Sequence, residues 1–329
     1  MRDPAATVPG AGAPAPTPQG VGSRPAARGV VTLRHLSGHA DYEACVELQR
    51  VTWGRQFQEL VPSSVLKISQ RVGGVAAGAF AADGRLLGFV VGLTGVRPRP
   101  TPGADAADAA DAAGLPSPPE RVEIVHWSHM LAVAPESRDL GLGTRLKRFQ
   151  RDFLLPLGVE VVEWTYDPLE ARNAHLNLNR LGAEVAEYVE DMYAGEMGSD
   201  LAQGIGTDRF IVAWRIGGER VRAALAGERS AGADRFATAP VVNPGGPWIE
   251  EAIVTAAPPG AAAAVRIEVP ADIQAFKRER PVDAVSYRQG TRRAFAAYLG
   301  HGYRVTAFFP DSDPAAARCY YGLEAAAGP

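Results

Sequence analysis

The stretch from His126 to Thr144 restricts the possible folds of this chain more than any other. It opens with an apolar run, His126-Trp127-Ser128-His129-Met130-Leu131-Ala132-Val133, within residues 122–133, which read as a strand. Ala134-Pro135-Glu136-Ser137 interrupts that run. Arg138-Asp139-Leu140-Gly141-Leu142-Gly143-Thr144 then leads into a helix predicted over 141–155, with Leu142, Leu146, Phe149 and Phe153 on one stripe. In such a strand–loop–helix unit the glycines let a ligand approach the backbone closely. The amides of the loop and of the first helical turn have no intrahelical acceptor and point outward. With the helix dipole they make a site suited to a pyrophosphate. A nucleotide-binding P-loop is excluded, because no Lys-Ser or Lys-Thr follows the glycines. The dinucleotide fingerprint needs a third glycine where Leu146 stands. On its own, a Gly-x-Gly is most often an ordinary strand-to-helix turn.

The neighbouring sequence supplies the elements such a unit needs. Upstream, 30–36 reads as a strand. Residues 41–53 read as a helix, with Tyr42, Cys45, Leu48 and Val51 or Thr52 along one side. A second helix is predicted over 62–72, where Val65, Ile68 and Val72 repeat at helical intervals. Residues 74–82 and 85–96 form a predicted hairpin across Asp83-Gly84, a tight turn whose two central positions are expected at positive φ. Residues 97–120 are a low-complexity insertion. Its Asp105, Asp108 and Asp111 lack apolar support and read as a solvated surface, not as metal ligands. Downstream come a strand (159–166), a helix (173–181) closed by Gly182, and strands at 184–188 and 208–216. A helical patch at 219–228 runs into a Gly/Ala/Pro-rich stretch, so 218–247 is a linker candidate. Beyond it lie a strand (263–269), a helix (282–299) and a hairpin (303–309 with 319–323).

This division gives a disordered tail (1–28), a main domain (29–217) with its insertion (97–120), a linker (218–247) and a C-terminal α/β extension (248–329). The extension is expected to pack on the main domain. It has too few strands to close a sheet of its own, and its helix bearing Val285, Phe295 and Leu299 needs a surface to cover. A net charge of -3 excludes the basic balance of a nucleic-acid binder. The two cysteines, Cys45 and Cys319, are far apart, which argues against a disulfide framework and against zinc, so no metal is expected. Neither a signal peptide nor a run long enough to span a bilayer is present. A cytoplasmic protein with no membrane partner is the expectation.

Arg138-x-x-Gly141-x-Gly143 after Leu131-Ala132-Val133-Ala134-Pro135, with Asn179-Arg180-Leu181-Gly182-Ala183 closing the later helix, resembles the GNAT (Gcn5-related N-acetyltransferase) superfamily. The likeness covers roughly 30–216. The run from Tyr188 to Tyr193, with Gly204, Thr207-Asp208-Arg209-Phe210 and Trp214, looks like an uncharacterised bacterial branch with a similar C-terminal extension. The resemblance implies an α+β (α/β) fold in which a mixed central sheet is flanked by helices. It further implies an N-acetyltransferase that takes acetyl-CoA as donor and a small-molecule or peptide amine as acceptor, by direct attack in a ternary complex. Leu131 and Val133 would offer amides to the pantetheine arm and the thioester carbonyl. Arg138, Asp139, Leu140, Gly141, Leu142, Gly143 and Thr144 would hold the pyrophosphate, and Asn173 would contact the CoA arm or cap its helix. His129, nine residues before Arg138, is the first candidate base, with Glu163 and His126 as alternatives; alternation places His126 opposite His129, and His129 on the face of Leu131. Where many members carry a tyrosine acid this chain has Leu178, leaving Tyr188, Tyr193 or water. A non-catalytic acyl-CoA-binding protein and a transferase of longer acyl groups are the alternative readings.

Overall fold

The computed structural model of the chain describes residues 30–98, 121–193, 201, 204–228, 232–244, 260 and 262–326. The predicted tail and almost all of the low-complexity insertion lie outside them. β1 (Thr32–His35) is followed by α1 (Gly38–Trp53), α2 (Ser63–Arg71), β2 (Val75–Phe80), β3 (Leu86–Pro98) and β4 (Val122–Val133). Next come α3 (Leu142–Leu154), β5 (Val161–Tyr166), the short α4 (Ala171–Ala174), a π-helical turn (His175–Arg180), β6 (Glu184–Val189) and β7 (Arg209–Arg215). These strands form one sheet in the order β1-β2-β3-β4-β5-β7-β6. All neighbours are antiparallel except β4 and β5, whose parallel pairing requires the α3 crossover. Helices cover both faces. Tyr42, Cys45 and Leu66 of α1 and α2 pack with Phe89, Met130 and Ala132 on one side. Leu142 and Leu146 of α3 pack with Val90, Val162 and Trp164 on the other. This is the mixed, helix-flanked architecture implied by the resemblance. None of the described helices is long and apolar enough to cross a membrane.

Two local expectations are corrected. At the β2–β3 turn only Gly84 has positive φ (+85°), not Asp83. Ala81 donates to Arg85 O and Gly84 to Ala81 O, so the connection is longer than a two-residue turn and places its glycine in the left-handed position. On α2, the apolar stripe does not face the sheet: Val65, Ile68 and Val72 are 37%, 58% and 57% exposed. The helix instead turns Leu66 and Ser69 inward, because the Ser69 hydroxyl donates to the Gly92 carbonyl at 2.6 Å and its own carbonyl accepts from Gly74 N.

Beyond β7 lie α5 (Glu219–Ala226), β8 (Ala264–Pro270), α6 (Ile273–Glu279), α7 (Pro281–Gly300), β9 (Tyr303–Pro310) and β10 (Arg318–Ala325). The last three strands form a second sheet of their own in the order β8-β10-β9, which corrects the expectation that the extension has too few strands for one: β10 pairs antiparallel with both β8 and β9. Within 218–247, Phe236 and Val242 are fully buried, and the backbone at 240–242 hydrogen-bonds Arg266 of β8. The helix α6 was not legible in the sequence. The covered side of α7 is Ala284, Tyr287, Arg288, Thr291, Phe295 and Tyr298, while Val285 is half-exposed. Two of its arginines reach the segments that flank β5, β6 and β7. Buried Arg288 donates to Asp167 (2.7 Å) and to Ile205 O (3.1 Å), and Arg292 pairs with buried Asp208 and with Asp191. Phe295 packs edge-on against Phe210 of β7 and Tyr321 of β10.

Replacing Arg288 by Met leaves the Asp167 carboxylate with Arg209 as a longer-range partner at 3.7 Å. Breaking one side of a buried ion pair costs about 3–5 kcal/mol. Arg288→Met is therefore expected to lower the urea midpoint of the whole chain in one transition; a midpoint equal to that of the unaltered chain would show that this contact carries no stability.

Candidate functional site

β4 and β5 pair over only three positions, Val125–Val161, His126–Val162 and Trp127–Glu163. β4 then continues to Val133 along β3, and β5 continues to Tyr166 along β7. The two strands therefore part like the arms of a V, whose apex lies at Trp127 and Glu163. Ala134 N donates to Leu87 O on the β3 side. Because backbone groups alternate along a strand, the amides of Leu131 and Val133 point the other way, into the gap that β5 has left.

The predicted anion loop stands at the open end of this V. Gly141 caps α3 with φ +69°, and Asp139 also has positive φ (+65°). Two residues of positive φ, two positions apart, turn the backbone sharply between Arg138 and the start of α3. The amides of Leu142 to Thr144 belong to the first helical turn, which has no intrahelical acceptors. Arg138, Asp139, Leu140 and Gly141 are exposed. A Cβ at Gly141 would meet no protein atom within 4 Å, and one at Gly143 would make only ordinary contacts with Leu176 and Leu131. Space inside the protein therefore does not demand glycine at 143.

His129 sits at an irregularity of β4. Val91 pairs with Met130 and Leu93 with Trp127, so Ser128 and His129 together oppose Gly92. This β-bulge shifts the alternation by one residue. His126 and Ser128 point toward α3; beyond the bulge, Leu131 and Val133 take that face, while Met130 and Ala132 join the α1–α2 face. His129 opposes His126 as expected, but it does not share the face of Leu131, and the bulge is the reason. It lines a cleft of about 250 Å³ on the α1–α2 side with Gln58, Glu59, Pro62, Val65 and Leu93. His129 remains exposed at the edge of the cleft; partial desolvation against these walls lowers its pKa, and the Glu59 carboxylate opposes that shift.

The other proposed acid–base groups are engaged elsewhere. Both carboxylate oxygens of Glu163 accept from Arg97, which also pairs with Glu123. The Tyr188 hydroxyl donates to Asp208 at 2.6 Å, and its ring packs on Phe210 and Phe295. Burial and that carboxylate push its pKa far up. Tyr188 also lies on the edge strand β6, two strands beyond β5, so the fold does not bring it to His129. The Tyr193 hydroxyl reaches Thr165 of β5 at 3.2 Å. Asn173 is exposed on α4; Glu170 precedes that helix and no side chain caps it.

Sequence reasoning missed a buried polar cluster beneath the V. Lys147 is 2% exposed, and its ammonium group lies 3.6 Å from the Trp164 ring centroid. Its Nζ donates to Ser128 Oγ at 2.7 Å and to Gln150 Oε1 at 3.2 Å. The Gln150 amide in turn donates to His126 Nε2 at 3.0 Å. On the far side of the ring, Nδ1 donates to Thr94 Oγ1 at 2.9 Å, and that hydroxyl donates to Gly73 O at 2.7 Å. His126 accepts at one nitrogen and donates at the other, as a neutral imidazole does. A Cβ on Gly92 would stand 2.2 Å from His126 Nε2, so glycine is required there. The signal in the sequence was the i, i+3 pair Lys147 and Gln150, which flanks the apolar stripe of α3.

No sequence-family model matches this chain, and no curated protein sequence does. Solved structures with a similar backbone are GNAT-type N-acetyltransferases. NAA60 of Arabidopsis thaliana in complex with acetyl-CoA has 14% identity and a TM-score of 0.42, covering 57% of this chain and 100% of that one. The Escherichia coli ribosomal-protein-S18-alanine N-acetyltransferase has 16% identity and a TM-score of 0.38, covering 57% and 94%. An acetyltransferase of the GNAT family from Streptococcus pneumoniae has 15% identity and a TM-score of 0.39, covering 56% and 98%. These likenesses concern the course of the backbone alone.

Burial and the neighbouring Lys147 lower the pKa of His126 to about 3. The unfolded chain takes up a proton near 6.5, and the folded chain does not until about 3. Stability from this group is therefore complete above 6.5 and is lost as the pH falls toward 3, by at most on the order of 4 kcal/mol. A denaturant midpoint that drops between pH 7 and 4, and drops less in His126→Gln, is the expected result; equal pH dependence in both proteins would contradict it.

Proposed function

We propose that this protein is an acyl-CoA-dependent N-acetyltransferase, which moves an acetyl group from acetyl-CoA to an amine by direct attack. The observation that carries this reading is the parting of β4 from β5, with two inward amides along the gap and a curled loop of outward amides at its mouth. A pantetheine arm is a narrow chain with amide groups, and a gap edged by unpaired strand backbone fits it. A pyrophosphate suits the loop: the amides of the first turn of α3 have no intrahelical acceptor, and Gly141 and Gly143 keep the approach clear. The donor would supply an activated thioester. The chain's part is to hold it, aim an N–H of Leu131 or Val133 at the developing oxyanion, and manage protons. One such donor is worth about 3 kcal/mol.

His129 is the proposed base. It lies beside the gap but on the α1–α2 face, so the acceptor would enter through the cleft of Glu59 and Leu93. A base must come within hydrogen-bond reach of the amine, directly or through one water. Glu163, clamped by Arg97, and Tyr188, bonded to Asp208, are poorly disposed for proton transfer here. A second reading, a protein that binds acyl-CoA without turnover, is favoured by buried Leu178 at the position where a tyrosine acid would stand.

Titration calorimetry with acetyl-CoA tests the donor site. Gly141→Val places a β-branched residue at φ +69° and is expected to abolish binding. Gly143→Val should do the same by obstructing the ligand and not by disturbing the fold. Unchanged affinity in both variants would sink the assignment.

Turnover of an amine tests the base. His129→Ala should lower kcat by roughly 10²–10⁴-fold with CoA affinity nearly intact. The base works when neutral, so kcat should rise as pH climbs through its lowered pKa, and that acidic limb should vanish in the variant. A variant of full activity would move the role to water or another group.

A further inference from the structure

Lys147 is a buried amine with no carboxylate beside it among the described residues, and such an arrangement is costly unless it has a use. Its position supplies one. Trp127 and Glu163 are the last paired residues of β4 and β5. Ser128 and Trp164 are the first residues after them, one on each arm of the V. Lys147 touches both: its Nζ donates to the Ser128 hydroxyl and stacks on the Trp164 ring. The amine therefore closes the apex of the gap from the α3 side, while His129 stands at the same bulge on the opposite face. A thioester whose pyrophosphate lies at the loop and whose arm runs down the gap ends at this apex.

We propose that Lys147, acting through the Ser128 hydroxyl, is the positioning residue that supplies positive charge and a proton to the departing CoA sulfur. This rests on the acetyltransferase reading above, and it fills the role left open by Leu178. In the step, the C–N bond forms and the C–S bond breaks, and sulfur keeps the electron pair. The acceptor ammonium loses two protons. Lys147 passes one proton through Ser128 to sulfur and is recharged from solvent, so one net proton remains in solution.

The surroundings agree with that task. Lys147 faces neutral His126 from β4, and Trp164 from β5; the indole N–H of Trp164 donates to Asn177 of the π-helical turn. Glu163 lies on the other face of β5, held by Arg97, and cannot neutralise it. Burial lowers the Lys147 pKa well below that of a free lysine, which makes its proton easier to give up. A hydroxyl between the amine and the gap can turn from Gln150 Oε1, which it now meets at 3.1 Å, toward a sulfur anion.

The test needs no acceptor. CoA is bound to the intact protein and its thiol is titrated by thiolate absorbance, with affinity measured in parallel by calorimetry. In the unaltered protein the bound thiol is expected to ionise about one pH unit lower than in free CoA, because a thiolate at the apex holds the proton on Lys147 and the resulting ammonium stabilises the thiolate in turn. In Lys147→Gln, which keeps a hydrogen bond to Ser128 but has no ionisable proton, the thiol should return to its free value while Kd changes by less than about three-fold. Lys147→Met should behave alike, so either variant suffices if the other does not fold. A thiol pKa equal in unaltered and variant proteins overturns the proposal and leaves the acetyltransferase reading standing. Failure of the unaltered protein to bind CoA overturns both.

Discussion

β4 has to satisfy two neighbours that ask for different things. It pairs with β3 along nearly its whole length but stays with β5 for three residues only. A straight strand could not leave one neighbour while keeping the other without exposing the wrong side chains. The bulge at Ser128 and His129 resolves the conflict, because one extra residue bends the strand and resets its alternation. Everything proposed for the site follows from that residue count. Ser128 stays on the α3 side above Lys147, His129 swings to the α1–α2 cleft, and Leu131 and Val133 carry their side chains into the α3-side core while their amides face the gap. The bulge is itself held from both sides. Ser69 of α2 donates to the Gly92 carbonyl opposite it, and the His126 ring fills the space that a side chain at 92 would need.

The same constraint separates what was legible in the sequence from what was not. The strand–loop–helix unit, the order of elements to β7 and the glycine positions follow from periodicity and turn chemistry, which are local. The face of His129 does not, because a bulge is a property of two strands in register and leaves no mark on one of them alone. The stripe Val65, Ile68 and Val72 misleads for a related reason. Helical periodicity finds an apolar face but cannot tell that Ser69 has a carbonyl to reach on β3, which turns the other side inward. Likewise helical spacing alone does not show that Ser128, Gln150 and Trp164 surround Lys147.

The C-terminal elements show how a fold can withdraw residues from chemistry. Tyr188 would be an exposed hydroxyl on an edge strand if β6 were uncovered. With α7 in place, Arg292 secures Asp208, Asp208 accepts from Tyr188, and Phe295 packs on its ring. Its proton is then held by a carboxylate inside an apolar contact, and its pKa moves away from any useful range. Covering the β7–β6 edge and removing this tyrosine from acid–base work are one event, and under the proposed acetyltransferase reading the role of acid would fall to groups nearer the apex of the V.

α3 joins the two ends of the proposed donor site in a single rigid element. Its first turn carries amides that have no intrahelical acceptor, and one turn later Lys147 reaches the apex. A helix rises 1.5 Å per residue, so the four steps from Gly143 to Lys147 span about 6 Å of axis. The long Lys147 side chain adds further reach toward Ser128. No loop intervenes, so the distance from anion loop to apex is set by helix geometry and not by a flexible connection. The helix in turn is fixed to the sheet by Leu142, Leu146 and Leu154, all buried, and by the Gln150–His126 bond. Loss of that bond would loosen one of the side-chain contacts that tie α3 to the bulged strand, beside those of Lys147 and Gln150 with Ser128. The neutral state of His126 is thus part of the positioning. A protonated ring could not accept from Gln150, and the amide that orients both Lys147 and Ser128 would have to turn away.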